Sequence, residues 1–251
     1  MKGFFIDFKL LNFVFLNFYI FQMIKFTFYF IVFIFLQTLY AQETPNFTEI
    51  DSLYREDQFY VGITYNILTN RPIGVAQNSF SSGVHLGILR DFPINKNRTV
   101  AIASGIGFSI NNYKHNLITQ KNNNTINYSI PNANINLDKN NLALYFVDMP
   151  LEIRWRNSTP ESHIFWRIYT GIKLSYLVLN NSKSITQNQT YKVSNNPDFN
   201  KFQYGAYIAA GRNTWNFYGY YGFQDVYKKG TLNGQSIKMN TINLGLMFYI
   251  L

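Results

Sequence analysis

From residue 58 onward, apolar and polar side chains alternate with a period of two, in segments of about ten residues. Successive side chains of a strand point to opposite faces, so this spacing predicts β-strands with one oily and one mixed face. Eight such segments can be counted, near 58–67, 82–91, 98–111, 142–156, 163–177, 201–212, 214–224 and 238–250. In the fifth, Ile164, Trp166, Ile168, Thr170, Ile172, Leu174 and Tyr176 share one face, and Phe165, Arg167, Tyr169, Gly171, Lys173 and Ser175 share the other. The fourth sets Val147, Met149, Leu151, Ile153 and Trp155 against Asp148, Glu152, Arg154 and Arg156. Pro150 interrupts that segment, and because proline cannot donate to a ladder, a bulge or bend is expected there.

The connections alternate in length. Those near 69–81, 112–141, 178–200 and 225–237 are long and rich in Asn, Gln, Ser and Lys. Those near 92–97 and 157–162, and the turn at Arg212, Asn213 and Thr214, are short. Long loops on one side and short turns on the other are the plan of an outer-membrane barrel. The fold expected for residues 58–251 is therefore all-β, a transmembrane up-and-down antiparallel barrel of eight strands. A soluble, lipocalin-like binding barrel alternates too, but with its apolar face inward. Two features favour the membrane: Arg and Lys accompany Gly, Ala and Ser on the second face, and Phe59, Tyr60, Trp155, Trp166 and Trp215 fall near strand ends, where interfacial girdles form.

Composition supports this reading. Aromatic residues reach 18% and charged residues only 14%, and the absence of Cys excludes a disulfide framework and thiol chemistry. The net charge is +9, or +7 beyond residue 41. Lys and Arg are scattered along the whole chain with no focused basic run, so nucleic-acid binding is not expected.

The first 41 residues read as an export signal. Lys25 follows Met23, an apolar run extends from Phe26 to Leu36, and Ala41 precedes polar Gln42 and Glu43. Cleavage is expected after Ala41, with Met23 as the translation start and 42–57 as a polar lead in the periplasm. The alternative is that one or both apolar stretches before Ala41 remain as membrane helices. No later stretch is apolar enough for a helix, so membrane residence of the mature chain must come from strands.

Candidate chemistry is sparse. Asp148, Glu152, Arg154, Arg167 and Lys173 are expected to point into one narrow lumen as a ladder of paired charges, a structural role. The functional alternative is a narrow solute or ion passage. No metal-ligand spacing, cofactor motif or catalytic triad is evident. His85, His115 and His163 stand apart in sequence, and only His115, beside the second long loop, is a candidate for a rim enzyme. Gly105 and Gly107 form no phosphate loop, because no helix follows. The Asn-rich stretch from Asn111 to Asn141 reads as a flexible surface loop.

Four stretches, Phe59 to Tyr65, Ser82 to Leu89, Asp148 to Arg154 and Ile242 to Tyr249, resemble the PorT-like outer-membrane β-barrel family. The resemblance implies a small barrel in outer-membrane lipid. It also implies a part in type IX secretion and gliding, with secretion-machinery proteins as partners. The expected role is structural, in assembly or in secretion, without catalysis.

Overall fold

The computed structural model describes residues 57–250 except 78, 124, 132–136, 158–164 and 188. The expected signal segment, most of the polar lead and His163 lie outside the described residues. The strands are β1 (Gln58–Thr69), β2 (Ser82–Pro93), β3 (Val100–Tyr113), β4 (Ile118–Asn122), β5 (Thr125–Ser129), β6 (Leu137–Arg156), β7 (Trp166–Thr186), β8 (Thr190–Ser194), β9 (Phe202–Arg212), β10 (Trp215–Gly222), β11 (Thr231–Leu232), β12 (Gln235–Ser236) and β13 (Asn240–Ile250). Eight of them, β1, β2, β3, β6, β7, β9, β10 and β13, pair with their chain neighbours in antiparallel fashion. The pairing of β1 with β13, from Phe59↔Ile250 to Thr69↔Asn240, closes the barrel.

The alternation decides which face is out. In β1, Phe59, Val61, Ile63 and Tyr65 are exposed, while Gln58, Tyr60, Thr64 and Asn66 are buried inside. The same inversion holds in β6 and β7. Each large apolar side chain gains roughly 1.5–3 kcal/mol on leaving water, so this outer surface is stable only against hydrocarbon. A soluble binding barrel is thereby ruled out. From Trp155 to Tyr145 on β6, ten steps at about 3.3 Å, tilted by about 40°, give a height of roughly 25 Å, the apolar band of an outer-membrane barrel.

Both rims of that band carry aromatic rings. At the short-turn rim, cross-strand register puts Trp166, Arg212, Trp215 and Phe248 in one row. At the long-loop rim, Tyr176 and Phe202 are neighbours, with ring centroids 5.0 Å apart.

Two strands run far past the band. β6 begins at Leu137, not near 142, and β7 continues to Thr186, not near 177. Asn180, Ser182 and Ser184 face inward here, so no apolar alternation marks the extension. The expected bulge at Pro150 is absent. Pairs on either side, Ser104↔Leu151 and Gly107↔Asp148, keep one register, and the ladder to β3 merely skips the rungs that proline's missing N–H disrupts. The β6–β7 ladder shifts register twice, between Leu137 and Lys139 near its far end and, closer to the band, where Tyr145 pairs with Leu179 but Phe146 with Leu177. Val178 is the extra residue of that second shift, at the level where the strands leave the membrane.

The long connections are folded. Hairpin β4–β5, strand β8 on the edge of β7, and hairpin β11–β12 build a cap over the barrel mouth. The Asn-rich stretch expected to be a flexible loop supplies β4 and β5, with Leu117, Ile118 and Tyr128 buried.

Candidate functional site

Small residues on the inner wall make room for large ones. Gly87 and Gly107 are cross-strand partners, and a Cβ on either would collide with the Tyr60 hydroxyl. Tyr60 therefore lies across the lumen together with Tyr207, Tyr218 and Tyr249 in a buried aromatic layer.

Below this layer the lumen is ionic. The Arg156 guanidinium grips both oxygens of Asp91, with Nη1 to Oδ1 at 3.0 Å and Nη2 to Oδ2 at 2.8 Å. Arg154 bridges Asp91 and Glu152, with Nη1 to Asp91 Oδ1 at 3.0 Å and Nε to Glu152 Oε2 at 2.7 Å. The Tyr207 hydroxyl donates to Glu152 Oε1 at 2.7 Å. Arg156 Nε also donates to the Arg98 carbonyl at 3.0 Å, tying the network to the turn between β2 and β3.

The five expected ladder residues are all buried on the inner wall, but they do not form a single ladder. Glu152 and Arg154 belong to the Asp91 cluster. Asp148 and Lys173 pair higher up, at 3.8 Å, and Lys173 Nζ also lies 4.4 Å from the Tyr220 ring centre. Arg167 makes no ion pair among the described residues. Its guanidinium stacks 4.5 Å from the Phe165 ring centre, with Tyr169 and Tyr249 beyond, so ring quadrupoles offset part of its desolvation, while Nε and Nη1 have no hydrogen-bond partner among the described residues.

The residue that organises the network is Asp91, which sequence reasoning missed. It is fully buried near the end of β2, a short stretch whose alternation gives an acid no special weight.

Above the tyrosines come amides. Thr64 Oγ1 donates to Asn66 Oδ1 at 2.7 Å and shares a 3.0 Å hydrogen bond with His85 Nε2. Asn66 Nδ2 donates to Asn111 Oδ1 at 3.0 Å. His85 is thus a buried lumen residue held by Thr64.

One space between these layers measures about 20 Å³ and is lined by Tyr60, His85, Asp148, Glu152, Lys173 and Tyr218 among others. A water needs roughly 10–15 Å³ on this measure, so the space suits a single water. Asp148 Oδ2, without a hydrogen-bond partner among the described residues, is positioned to use one.

At the mouth the chemistry changes again. Leu117, Tyr128, Phe199, Val226, Tyr227, Ile237 and Met239 from the connections pack on Leu68, Tyr113, Leu142, Leu144, Phe146 and Leu177. Amide side chains staple the loops. Asn116 exchanges hydrogen bonds with Ala76 and Gly74, and Asn140 Nδ2 donates to the carbonyls of His115 and Leu117 at 2.6 and 2.7 Å.

His115 sits under this cap, and burial pushes its pKa from the usual 6.5 to about 4. Its Nδ1 accepts from the Leu117 N–H at 3.2 Å. Ser79 and Asp138 line the same hollow, but neither hydrogen-bonds the imidazole. Among the described residues, no three of His, Cys, Asp and Glu gather as a metal site.

The cap also gathers charge. Among the described residues, ten exposed Lys and Arg side chains, from Arg71 to Lys238, stand on the long-loop side against three acids, Asp138, Asp198 and Asp225. Cations that look scattered along the sequence are collected by the up-and-down topology, which sends every second connection to one side.

The family described as "Outer membrane protein beta-barrel domain" matches residues 40–228. The chain belongs to that family. Like other members of the outer membrane protein beta-barrel domain family, it resides in the outer membrane. No curated protein matches the sequence significantly. Among solved structures, it is similar to Ail, the attachment invasion locus protein of Yersinia pestis. Identity is 10%, over 77% of this chain and 97% of Ail, with a TM-score of 0.33. Ail in complex with the heparin analogue sucrose octasulfate gives 9% identity, 78% and 99% coverage, and a TM-score of 0.35. A porin of Rh. blastica gives 8%, covering 78% and 100%, with a TM-score of 0.15.

Proposed function

We propose that this protein is a closed outer-membrane barrel with a structural or assembly role, serving secretion and presenting its folded cap to partner proteins. The observation that carries this reading is the filled lumen. An ion cluster, a tyrosine layer, an amide layer and an apolar core follow one another, and the space beside the tyrosines, Asp148 and Lys173 holds about one water. Such a barrel has no path for a solute, and its investment in a packed cap favours a surface role. The PorT-like stretches support a place beside the type IX secretion machinery, and the basic cap suits acidic partner surfaces.

No catalysis is part of this proposal. His115, the one rim candidate, has its Nδ1 engaged by backbone and has no hydrogen-bonded acid or nucleophile among the described residues. A triad needs both contacts.

Two measurements test the reading. The purified barrel in planar bilayers is expected to give no steady conductance, and Lys173→Gln is expected to leave that unchanged; a conducting wild type would favour the channel. Deletion of the gene is expected to reduce the amount of exported protein reaching the cell surface. Normal export, together with no partner captured by crosslinking from cap lysines, would overturn the assembly role.

A further inference from the structure

The lipid-facing surface has a notch near its periplasmic rim. Register aligns Ile168, Ala210, Phe217 and Leu246 across four strands, and only Ala210 in that row is small. One row nearer the short turns stand Trp166, Arg212, Trp215 and Phe248, with Trp215 and Phe248 in edge contact at 4.7 Å. The bulk missing at Ala210 leaves a groove of about 520 Å³, walled by Trp166, Ile168, Trp215, Phe217 and Leu246, with Arg212 at its lip.

Arg212 is exposed and makes no ion pair among the described residues. Its position between two indoles, at the end of β9, puts the guanidinium at headgroup level in the periplasmic leaflet. A guanidinium matches a phosphate in bidentate geometry. The apolar walls above it need hydrocarbon.

We propose that this groove holds one phospholipid of the periplasmic leaflet, with an acyl chain over Ala210 and the phosphodiester on Arg212. The two-residue turn at Asn213 and Thr214 fixes which leaflet is meant, because short turns face the periplasm. The barrel carries its own comparison. Ser104, paired with Arg90, leaves a similar groove of about 400 Å³ beside Phe59, Ile88 and Ile106, but Asp57 also lines it. That carboxylate repels a phosphate, so the second groove binds more weakly.

Native mass spectrometry on the full chain tests this, with phosphatidylglycerol, phosphatidylethanolamine, a phosphate-free diacylglycerol, inorganic phosphate, and lipid A as the outer-leaflet glycolipid. One tightly held phospholipid per barrel is expected, with diacylglycerol and inorganic phosphate each weaker by about tenfold or more, the scale of one charge-assisted hydrogen bond. Arg212→Gln is expected to weaken phospholipid binding by about tenfold. Ala210→Phe fills the groove and is expected to abolish the tight lipid while the barrel keeps its heat-dependent gel mobility; should it fail to fold, Arg212→Gln decides alone. Unchanged lipid retention in Arg212→Gln, preference for lipid A, or displacement of lipid by a second copy of the chain would overturn the proposal.

Discussion

The lower lumen is closed by ions, and the upper mouth is closed by hydrocarbon. Around Asp91 the packing relies on charges that have lost their water and must find each other at hydrogen-bonding distance. Around Phe199 and Met239 it relies on apolar area, which tolerates small displacements and has no directional demand. The first kind of plug is brittle, because removing one partner strands another. The second is graded, because losing a side chain forfeits its own area and leaves a cavity. The lower plug is built from strand residues inside the band, the upper one largely from loops. Failure of the two should therefore look different: global below, local above.

Asp91→Asn tests the brittle end and carries the largest expected effect. It removes the shared counter-charge of Arg154 and Arg156, both fully buried. A loss of about 3–5 kcal/mol is expected for breaking a buried pair, read as a lower urea midpoint for the whole barrel by gel mobility. A barrel as resistant as wild type would mean that the cluster is not held by Asp91.

Phe199→Ala tests the graded end. A cost of about 3–4 kcal/mol is expected for emptying a buried aromatic site, confined to the cap. Hydrogen exchange at 114–131 should accelerate while gel mobility stays that of a folded barrel; simultaneous loss of both would show that the two plugs are one cooperative unit.

Acid sharpens the comparison further. His115 is neutral in the closed cap because burial holds its pKa at about 4, whereas an opened cap restores the usual 6.5. Cap stability is then independent of pH above about 6.5 and falls as pH drops from there to about 4, where it levels off, since the opened state binds the proton first. The full change is about 3 kcal/mol, from the shift times 1.36 kcal/mol per unit. Lys114, Asp138 and Lys139 line the same hollow, so His115→Gln is the control. Exchange at 114–131, corrected for intrinsic rates, should lose its acid dependence in that variant.

The same contrast governs what could be read from the sequence. The eight membrane strands and their two faces were legible because alternation follows from the pleat itself, as Trp166 to Tyr176 shows. The charges on the inner wall were legible as inward, but not their partners. Asp91 joins Arg154 and Arg156 across more than sixty residues, and no local pattern records such a meeting. The cap was least legible. Asn116, Asn140 and Asn196 look like solvated loop residues, yet each spends its amide on a distant backbone or ring hydroxyl. The bulge went to Val178 and not Pro150 because the missing N–H cost only rungs of one ladder, while the strands had to be re-aimed as they left the membrane.

All three tryptophans of the chain, Trp155, Trp166 and Trp215, stand on the periplasmic ring, and the upper ring has tyrosine and phenylalanine in their place. Intrinsic indole emission therefore reports on one leaflet alone. As the barrel inserts, a blue shift and quenching by brominated chains would time the arrival of the short-turn end at its final depth, free of any signal from the cap.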